Sequence, residues 1–386
     1  MKIVINAFSA RVGGGKTYLT NLLSELPADP DLEIHLFAQP DLPFPADSRI
    51  RRIATAWPVT NPLLRTFWER FALPGYLRRV KADVLFCPGG VVATRAPEGC
   101  RTATMFRNML PFDPAARGRL GWSLQRLRNH ILRPVALRSM AHADLTIFIS
   151  DYARRVVEQL THIPNPVTIP HGVAPAFRTF DRDVPRPAGA GGGEYLLYVS
   201  RFDVYKHHHE VVEAYAALPA SVRADIRLLF AGETESREYE RVHSLVESLG
   251  LQRQVIFLGP IPYGELPGFY RHAKAVLFAS SCENCPNILL EALGAGRPLL
   301  SSDVMPMPEF GGPGIAYFSP FASSSIRDTL ERILTEPDFA AAAAKAAAER
   351  SLAYDWHDTA SATWAHLRAL GSGRAQISVA EPSDGL

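Results

Sequence analysis

Two carboxylates and two cations follow strand-like runs in the second half of the chain. Glu283 lies in the loop after KAVLFAS, and Glu291 falls about a turn and a half into the helix that Pro286 is placed to start. Arg201 and Lys206 follow the run EYLLYVS and lie five residues apart. In an open parallel sheet such loops meet at the carboxyl edge, where ligands bind. Each cation alone, or the two glutamates alone, would be an ordinary surface charge. The four residues together predict a binding site.

The chemistry of this predicted site suits a diphosphate. Backbone N–H groups at the start of a helix attract phosphate, and here they belong to Asn287, Ile288 and Leu289. Arg201 and Lys206, on the neighbouring loop, can hold the same group from the other side. The sequence therefore predicts a diphosphate held between a cationic loop and a helix N-terminus.

A second phosphate-binding pattern lies near the start of the chain. The stretch ARVGGGKTY follows the apolar run KIVINAFS and has the spacing of a phosphate loop, with Ala10 in place of the first Gly. A phosphate-loop enzyme also needs an apolar strand ending in a Mg-binding Asp. The candidate, LTIFIS followed by Asp151, is better explained as a helix start capped by Ser150 or Asp151. A P-loop nucleotide hydrolase using Ala10 to Thr17 is kept as an alternative function.

The chain is organised as two similar halves. In each half, short β-rich runs alternate with helical stretches, which predicts a parallel sheet with crossover helices. A segment rich in Pro, Gly and charge separates the halves and has the composition of a linker. We predict an N-terminal domain over 1–182, a linker over 183–193, a C-terminal domain over 194–352, a C-terminal helix over 353–371 that crosses back to the first domain, and a disordered tail over 372–386.

Composition bounds the class of protein. The chain has 386 residues, of which 47% are hydrophobic and 21% charged, enough apolar surface for two folded cores. Its N-terminus reads as a short strand without a signal-peptide pattern, and four sparse cysteines fit a reducing compartment. Cys282 and Cys285 offer half of a zinc site without a second pair, and His207–His209 read as a polar helix start. We therefore expect a cytoplasmic protein without a bound metal.

Charge is unevenly distributed. Residues 1–180 carry 23 Lys and Arg against 13 Asp and Glu, whereas the remaining residues carry 18 against 26. The segment 116–141 interleaves six arginines with apolar residues and has no acidic one, which favours peripheral contact with an anionic membrane. Nucleic acid is not an expected partner, because no binding module accompanies the charge. The alternative is that the apolar face packs inside the domain. Further residues that could extend the basic patch are Arg65, Trp68, Arg70, Phe71, Arg78, Arg79 and Lys81.

The ordered motifs resemble the retaining glycosyltransferases of the GT-B fold, family 4, also called group 1. The resemblance is strongest over 194–320, through YVSRFDVYK, LLFAGE, VIFLGPIPYGELPGFYRHAKAVLFASSCENCPNILLEALGAGRPLL and MPMPEFGGPG. The first half adds GGGKTYLTNLL, ADVLFCPGG, ADLTIFISDYARRVV and IPHGV. The resemblance implies an α/β fold of two Rossmann-like, doubly wound parallel-sheet domains that face each other across a cleft.

The resemblance also implies roles for particular residues. Arg201 and Lys206 match the pair that holds the donor diphosphate, and Glu283 matches a carboxylate that contacts the donor sugar; these three are the predicted catalytic residues. Glu291 matches the carboxylate that accepts hydrogen bonds from the ribose. The other predicted donor-binding residues are Gly13, Gly14, Gly15, Arg107, Asn108, Gly232, Pro260, Asn284, Asn287, Ile288 and Leu289.

Two of these positions depart from the family pattern. Arg107 and Asn108 stand where many relatives carry a His, and Asn284–Cys285 replaces the usual Phe–Gly after the first Glu. The implied reaction moves a hexose from a UDP- or GDP-sugar to a hydroxyl of a saccharide or lipid-linked saccharide, with retention of anomeric configuration, in cell-surface polysaccharide or lipopolysaccharide synthesis. No metal or other cofactor is implied. A catalytically silent GT-B protein that binds nucleotide or saccharide is the other alternative.

Overall fold

The computed structural model describes residues 1–10, 13–119, 124–180 and 182–373. Most of the predicted tail, residues 374–386, lies outside this described part, as do residues 120–123 of the basic segment and 11–12 of the glycine loop. Contacts between residues divide the chain into two compact units. The first comprises Met1–Asn108, His130–His171 and the chain from Trp356; the second comprises Met109–Asn129 and Gly172–Asp355. The domain bounds drawn from the sequence stay predictions.

Each unit is built on one parallel sheet. The order of strands is β3-β2-β1-β4-β5-β6-β7 in the first unit and β10-β9-β8-β11-β12-β13 in the second. The strands of the first sheet are β1 (Lys2–Asn6), β2 (Glu33–Phe37), β3 (Ile50–Arg52), β4 (Val84–Cys87), β5 (Arg101–Phe106), β6 (Leu145–Phe148) and β7 (Pro166–Thr168). Those of the second are β8 (Glu194–Val199), β9 (Ile226–Ala231), β10 (Val255–Gly259), β11 (Ala275–Phe278), β12 (Leu299–Ser302) and β13 (Ala316–Phe318). The predicted parallel α/β architecture is confirmed.

Helices follow most of the strands. In chain order they are α1 (Gly14–Ser24), α2 (Pro62–Phe71), α3 (Leu73–Val80), α4 (Pro114–Arg119), α5 (Leu124–His142), α6 (Asp151–Glu158), α7 (His208–Ala216), α8 (Ala220–Arg223), α9 (Arg237–Ser248), α10 (Leu266–His272), α11 (Asn287–Gly294), α12 (Met307–Gly311), α13 (Ser323–Thr335), α14 (Pro337–Ser351) and α15 (Trp356–Gly371). Among these described helices, none is both long enough and apolar enough to cross a bilayer.

Local sequence explains where several helices begin. The Ser150 side chain accepts a hydrogen bond from the Ala153 N–H at 3.2 Å, so Ser150 is the cap of α6 and Asp151 is its first residue. The Asn61 side chain caps α2 in the same way. α2 and α3 follow each other closely but are separate helices, because Pro74 lacks the N–H that a continuous helix would need there.

The last helix, α15, packs within the first unit. The indole N–H of Trp364 donates to the carbonyl of Leu22 in α1 at 3.0 Å, and the hydroxyls of Tyr18 and Thr363 lie 3.3 Å apart. Trp364 is 1% exposed, so this contact is part of the core of the unit. These contacts hold α15 against the middle and the C-terminal end of α1, the helix that follows the glycine loop.

Candidate active site

The second sheet brings the predicted cationic loop and the predicted carboxylate loop together. Strands β8 and β11 are neighbours, so the loops that follow them leave the same edge side by side. Lys206 is 6% exposed, and its ammonium forms an ion pair with the Glu283 carboxylate. That ammonium also lies 5.2 Å from the ring centroid of Phe278, the last residue of β11. Lys206 and Glu283 therefore form a charge pair at the carboxyl edge, in which the lysine is buried and the glutamate half-buried.

Arg201 is oriented by two neighbours on its own loop. Its Nε lies 2.7 Å from Oδ2 of Asp203, and its Nη2 donates to the Tyr205 hydroxyl at 2.9 Å. The Tyr205 hydroxyl in turn donates to Asp203 at 3.0 Å, and burial raises the pKa of Tyr205, which keeps this phenol a donor. The Arg201 side chain is still 58% exposed. Arg201 is therefore held in place and accessible to a ligand. The negative charge of Glu283 also favours the charged form of its guanidinium.

His207 links the two loops. Its Nε2 lies 2.8 Å from Oγ of Ser281, on the loop after β11, and its Nδ1 lies 3.1 Å from the carboxylate of Glu210. The residue has a φ of 55°, a left-handed conformation that is uncommon outside glycine. A strained backbone conformation persists where contacts with neighbouring residues hold it in place. Here the left-handed residue lies at the point where the chain turns from the Lys206 loop into α7.

The three consecutive histidines do not converge on one point. His208 is fully buried and stacks between Tyr198 and Phe202, at centroid distances of 4.6 and 4.1 Å. Burial lowers the pKa of His208, which therefore stays a neutral core residue. His209 instead lies 3.4 Å from Glu213. Within the described residues, no group of three or more His, Cys, Asp or Glu is arranged to hold a metal ion.

Gly232, at the end of β9, is in contact with the start of the Arg201 loop. A Cβ at this position would lie 2.0 Å from the carbonyl oxygen of Ser200, so only glycine fits without displacing the backbone. Pro260 comes directly after β10, the strand beside β9, and so lies at the same carboxyl edge of the sheet. Gly232 therefore sets the position of the loop that carries Arg201.

This contact predicts the effect of a single methyl group. Gly232→Ala should lower the free energy of unfolding by about 2–4 kcal/mol and weaken nucleoside diphosphate binding, because the Arg201 loop must move. Chemical denaturation and calorimetric titration with UDP and GDP measure the two effects. Gly264→Ala is the matched control, since nothing lies within 4 Å of its Cβ position. Equal behaviour of the two variants would contradict the positioning role.

Glu291 has a different partner from Glu283. It is 9% exposed in α11, and burial raises its pKa to about 8; its hydrogen-bond partner is the hydroxyl of Tyr263. Tyr263 lies on the loop after β10 and is 49% exposed. The start of α11 has no side-chain cap, so its first N–H groups, including those of Ile288 and Leu289, face outward from the helix end.

Arg107 and the glycine loop meet at the carboxyl edge of the first sheet. A Cβ on Gly15 would lie 2.8 Å from Nη1 of Arg107, so the guanidinium packs directly on the backbone of the loop. Gly13 has a φ of 60°, which glycine adopts without strain. Lys16 is engaged elsewhere, with its ammonium 2.8 Å from the Asp41 carboxylate. The loop therefore presents glycine backbone and an arginine, and Lys16 pairs with a surface carboxylate.

Some residues of the site were not predicted from the sequence. They are Tyr263, which binds Glu291; Asp203 and Tyr205, which orient Arg201; and Asp113, whose carboxylate accepts a hydrogen bond from the Cys282 thiol. Asp113 lies in the segment 109–129, which belongs to the second unit by its contacts. In the sequence, these residues are recognisable only as aromatic or acidic residues in loops. That description fits too many residues to identify these four.

Comparison with known families accounts for this arrangement. Residues 181–350 match the family model described as Glycosyl transferases group 1, and residues 12–177 match Glycosyltransferase Family 4. The chain belongs to the group 1, family 4 glycosyltransferases. The resemblance inferred from the sequence motifs is thereby confirmed, and the matched residues include Lys206, Glu283 and Gly13–Gly15.

Relatives and solved structures agree with this assignment. The chain is 28% identical over 257 residues to the serotype-specific mannosyltransferase WbdA of Escherichia coli, a match that covers 64% of this chain and 31% of the relative. This chain thus spans about a third of the length of that mannosyltransferase. Among solved structures it is similar to sucrose-phosphate synthase from Thermosynechococcus elongatus, with TM-score 0.77 and 20% identity over 97% of this chain and 100% of that one. WaaG, a glycosyltransferase involved in lipopolysaccharide biosynthesis, gives TM-score 0.70 and 16% identity over 94% and 98%.

These similarities show the GT-B fold for this glycosyltransferase. They also count against the P-loop hydrolase, because the glycine loop falls mostly inside the Family 4 match and Lys16 is paired with Asp41. Among the described residues, the side chains best placed to bind a diphosphate are therefore those in the loops that follow β8 and β11 of the second sheet.

Proposed function

We propose that this glycosyltransferase moves a hexose from a UDP- or GDP-sugar to a hydroxyl of a saccharide or lipid-linked saccharide, with retention of anomeric configuration. One relative is named as a serotype-specific mannosyltransferase, and WaaG as a glycosyltransferase involved in lipopolysaccharide biosynthesis. These names support a related setting for this chain: synthesis of a cell-surface polysaccharide or lipopolysaccharide. The proposal includes a cytoplasmic location. The observation that carries it is the charge cluster of Arg201, Lys206 and Glu283 beside the start of α11.

The cluster supplies what departure of a nucleotide diphosphate requires. Negative charge grows on the leaving phosphate as the bond to the sugar breaks, and fixed cations lower the energy of that transition state. Arg201 is accessible and held in place by Asp203 and Tyr205, while Lys206 is buried beside the same loop. Glu283, already paired with Lys206, would bind hydroxyls of the donor sugar. We propose that these two cations act without a metal ion.

The remaining donor contacts follow from the same placement. Ile288 and Leu289 would offer helix N-terminal N–H groups to the diphosphate, and Glu291 would accept the ribose hydroxyls. The N–H of Asn287, predicted from the sequence to join them, instead donates to the carbonyl of Cys285 at 3.0 Å. Gly232, Pro260 and Asn284, on the neighbouring loops, are also proposed to contact the donor. In the first unit, Gly13–Gly15, Arg107 and Asn108 are proposed to contact the donor.

Nucleotide binding tests the proposal and its alternatives. Thermal unfolding would be followed with UDP, GDP, ADP and Mg-ATP, each with and without EDTA; ligand at 100 times its dissociation constant stabilises by about 2.7 kcal/mol. Stabilisation by one nucleoside diphosphate that survives EDTA and disappears in Lys206→Ala supports the proposal. Stabilisation only by Mg-ATP, lost in Lys16→Ala, would overturn it in favour of the P-loop hydrolase. Binding without turnover of the matching UDP- or GDP-sugar would identify a silent GT-B protein.

A surface of the first unit supports the proposed contact with an anionic membrane. Leu63, Phe67 and Phe71 recur at four-residue spacing along α2 and are 73%, 56% and 69% exposed, and the two phenylalanine rings stack 5.9 Å apart. Residues 51–81 carry seven Arg and Lys and one acidic residue, the buried Glu69. An apolar stripe among cations suits the headgroup region of an anionic leaflet.

The structure changes which residues form this surface. Trp68 is 4% exposed and packs against Phe8 and Phe37, so it belongs to the core and takes no part in the patch. Its sequence neighbour Phe67 takes its place on the exposed side. In the segment 116–141, the described side chains of Leu127, Ile131 and Val135 form a second exposed stripe on α5.

The membrane contact predicts a specific loss of vesicle binding. The double variant Phe67→Ser, Phe71→Ser should weaken sedimentation with phosphatidylglycerol vesicles about tenfold or more, since two aromatic side chains no longer enter the interface. Leu352→Ser, which removes a 62% exposed apolar side chain in the second unit, is the control. Binding should also fall with salt and be weak on phosphatidylcholine. Unchanged sedimentation of the double variant would rule out this surface, whatever the transferase activity.

A further inference from the structure

A basic cavity lies at the opposite edge of the second sheet from the Lys206–Glu283 pair. Its volume is about 640 Å³, within the range of small-molecule sites. Glu194 begins β8, Lys274 precedes β11 and Arg297 precedes β12, so the cavity is at the amino ends of three adjacent strands. Because a strand rises about 3.3 Å per residue, the six residues of β8 separate it from the carboxyl edge by on the order of 20 Å.

The lining has an excess of positive charge. Five cations line the cavity against two carboxylates, and Glu194 is already paired with Lys274 at 2.9 Å. The cations are Arg182, Arg186, Arg271, Lys274 and Arg297. One carboxylate, that of Asp183, therefore faces four arginines.

Two of these arginines repel each other in a partly buried place. Arg271 and Arg297 are both half-buried, and burial together with the charge of Arg271 lowers the pKa of Arg297. Like charges in a partly buried place disfavour each other, and the charge of Glu194 offsets only part of this effect on Arg297. An anion bound beside the two guanidinium groups would therefore stabilise the arrangement.

Backbone hydrogen bonds explain only part of the cluster. Arg297 donates its Nε to the carbonyl of Ala273 at 2.6 Å, and Arg186 donates its Nε to the carbonyl of Gly191 at 3.0 Å. Within the described residues, no hydrogen bond engages the Nη groups of Arg297 or any part of the Arg271 guanidinium. These groups are the planar donors that bind phosphate oxygens in pairs.

We propose that this cavity is a second anion site, which binds a small phosphate-bearing molecule of the size between pyrophosphate and a nucleotide. The Nη groups of Arg297 and the guanidinium of Arg271 hold the phosphate, and the exposed Arg182 and Arg186 close the rim. Because it lies at the amino edge of the sheet, it is separate from the proposed donor site and can be occupied together with it.

Titration with pyrophosphate at constant ionic strength tests the site. The Lys206→Ala variant removes a cation of the proposed donor site, so the binding that is left should belong to the cavity. Adding Arg271→Gln to that variant should weaken the remaining affinity about tenfold to a hundredfold, the range for a charged hydrogen-bonding partner. Arg253→Gln, on an exposed surface of the same unit, is the control and should leave the affinity unchanged.

A second readout separates ligand binding from a structural role. Without an anion, Arg271→Gln should raise or preserve the thermal midpoint of the otherwise unchanged chain, because it removes repulsion and keeps the Arg297–Ala273 hydrogen bond. The proposal is overturned if Arg271→Gln lowers that midpoint and leaves pyrophosphate affinity unchanged, or if chloride at equal ionic strength stabilises as well as pyrophosphate. If Arg271→Gln abolishes all pyrophosphate binding and Lys206→Ala abolishes none, the cavity is supported and the proposed donor site fails.

Discussion

Replacing Lys206 with alanine is expected to lower the turnover number of the proposed transferase by about 10²–10³-fold. The ammonium of Lys206 is one of two cations placed to balance charge on the departing diphosphate, and it is buried, so water cannot replace it fully. A steady-state assay with the donor identified by the nucleotide panel measures the loss. Lys345→Ala is the matched control, because Lys345 forms an ion pair with Glu349 at 75% side-chain exposure and should be dispensable.

Loss of folding must be separated from loss of chemistry in this variant. Lys206→Ala leaves the half-buried Glu283 without its partner, which should destabilise the chain by less than the roughly 3–5 kcal/mol lost when a fully buried pair is broken. The nucleoside without phosphates provides the distinction. A folded Lys206→Ala should still bind uridine or guanosine as the wild type does, and should lose the additional affinity of the diphosphate. Full turnover in a folded Lys206→Ala would contradict the role proposed for this lysine.

The longer strands were predictable, and three short ones were not. β1, β2, β4, β5 and β6, like β8 to β12, have four to six residues, and all of them except β10 are mostly buried, as expected of parallel strands covered on both faces. β3, β7 and β13 have three residues each and lie at sheet edges, where a strand needs few buried side chains. Pairing with a neighbour, which a single sequence does not display, defines these three.

The site shows the same division between local and long-range information. Arg201, Lys206 and Glu283 could be singled out because each lies just after a recognisable strand of a parallel sheet. The pairing of Glu291 with Tyr263 depends on how α11 packs beside the loop after β10, 28 residues away in sequence. Trp68 shows the same limit for a helix. The side of α2 that is buried depends on contacts with Phe8 and Phe37, which belong to other parts of the chain.

Glu291→Gln is expected to stabilise the chain in neutral and alkaline solution. The pKa of Glu291 is about 8 in the folded chain, above its ordinary 4.5. Below pH 4.5 both folded and unfolded chains hold the proton; from there to pH 8 only the folded chain does, so stability falls with rising pH by up to about 1.4 kcal/mol per unit. The glutamine variant lacks this loss and should be more stable by about 3–5 kcal/mol at pH 8, and about equally stable near pH 4.5.

Denaturant titrations across this pH range measure the effect. The glutamine side chain keeps an oxygen that can accept the Tyr263 hydroxyl, so the packing of α11 should be preserved. Glu349→Gln, on an exposed part of α14, is the control and should follow the wild-type curve at every pH. Parallel curves for Glu291→Gln and wild type would show that Glu291 does not hold a proton in the folded chain.

A stabilising substitution that also weakens the ligand would distinguish a functional carboxylate from a poorly paired core residue. If Glu291 accepts ribose hydroxyls, the nucleotide favours its ionised form, so binding at pH 7 should release a proton and the affinity should rise with pH toward 8. Calorimetric titration with the diphosphate in two buffers of different ionisation enthalpy measures that proton. In Glu291→Gln the release should vanish and the affinity should fall about tenfold or more, because an amide offers one acceptor oxygen where the carboxylate offers two. Undiminished affinity in that variant would exclude a ribose contact at Glu291, and the stability gain would then reflect only the burial of its charge.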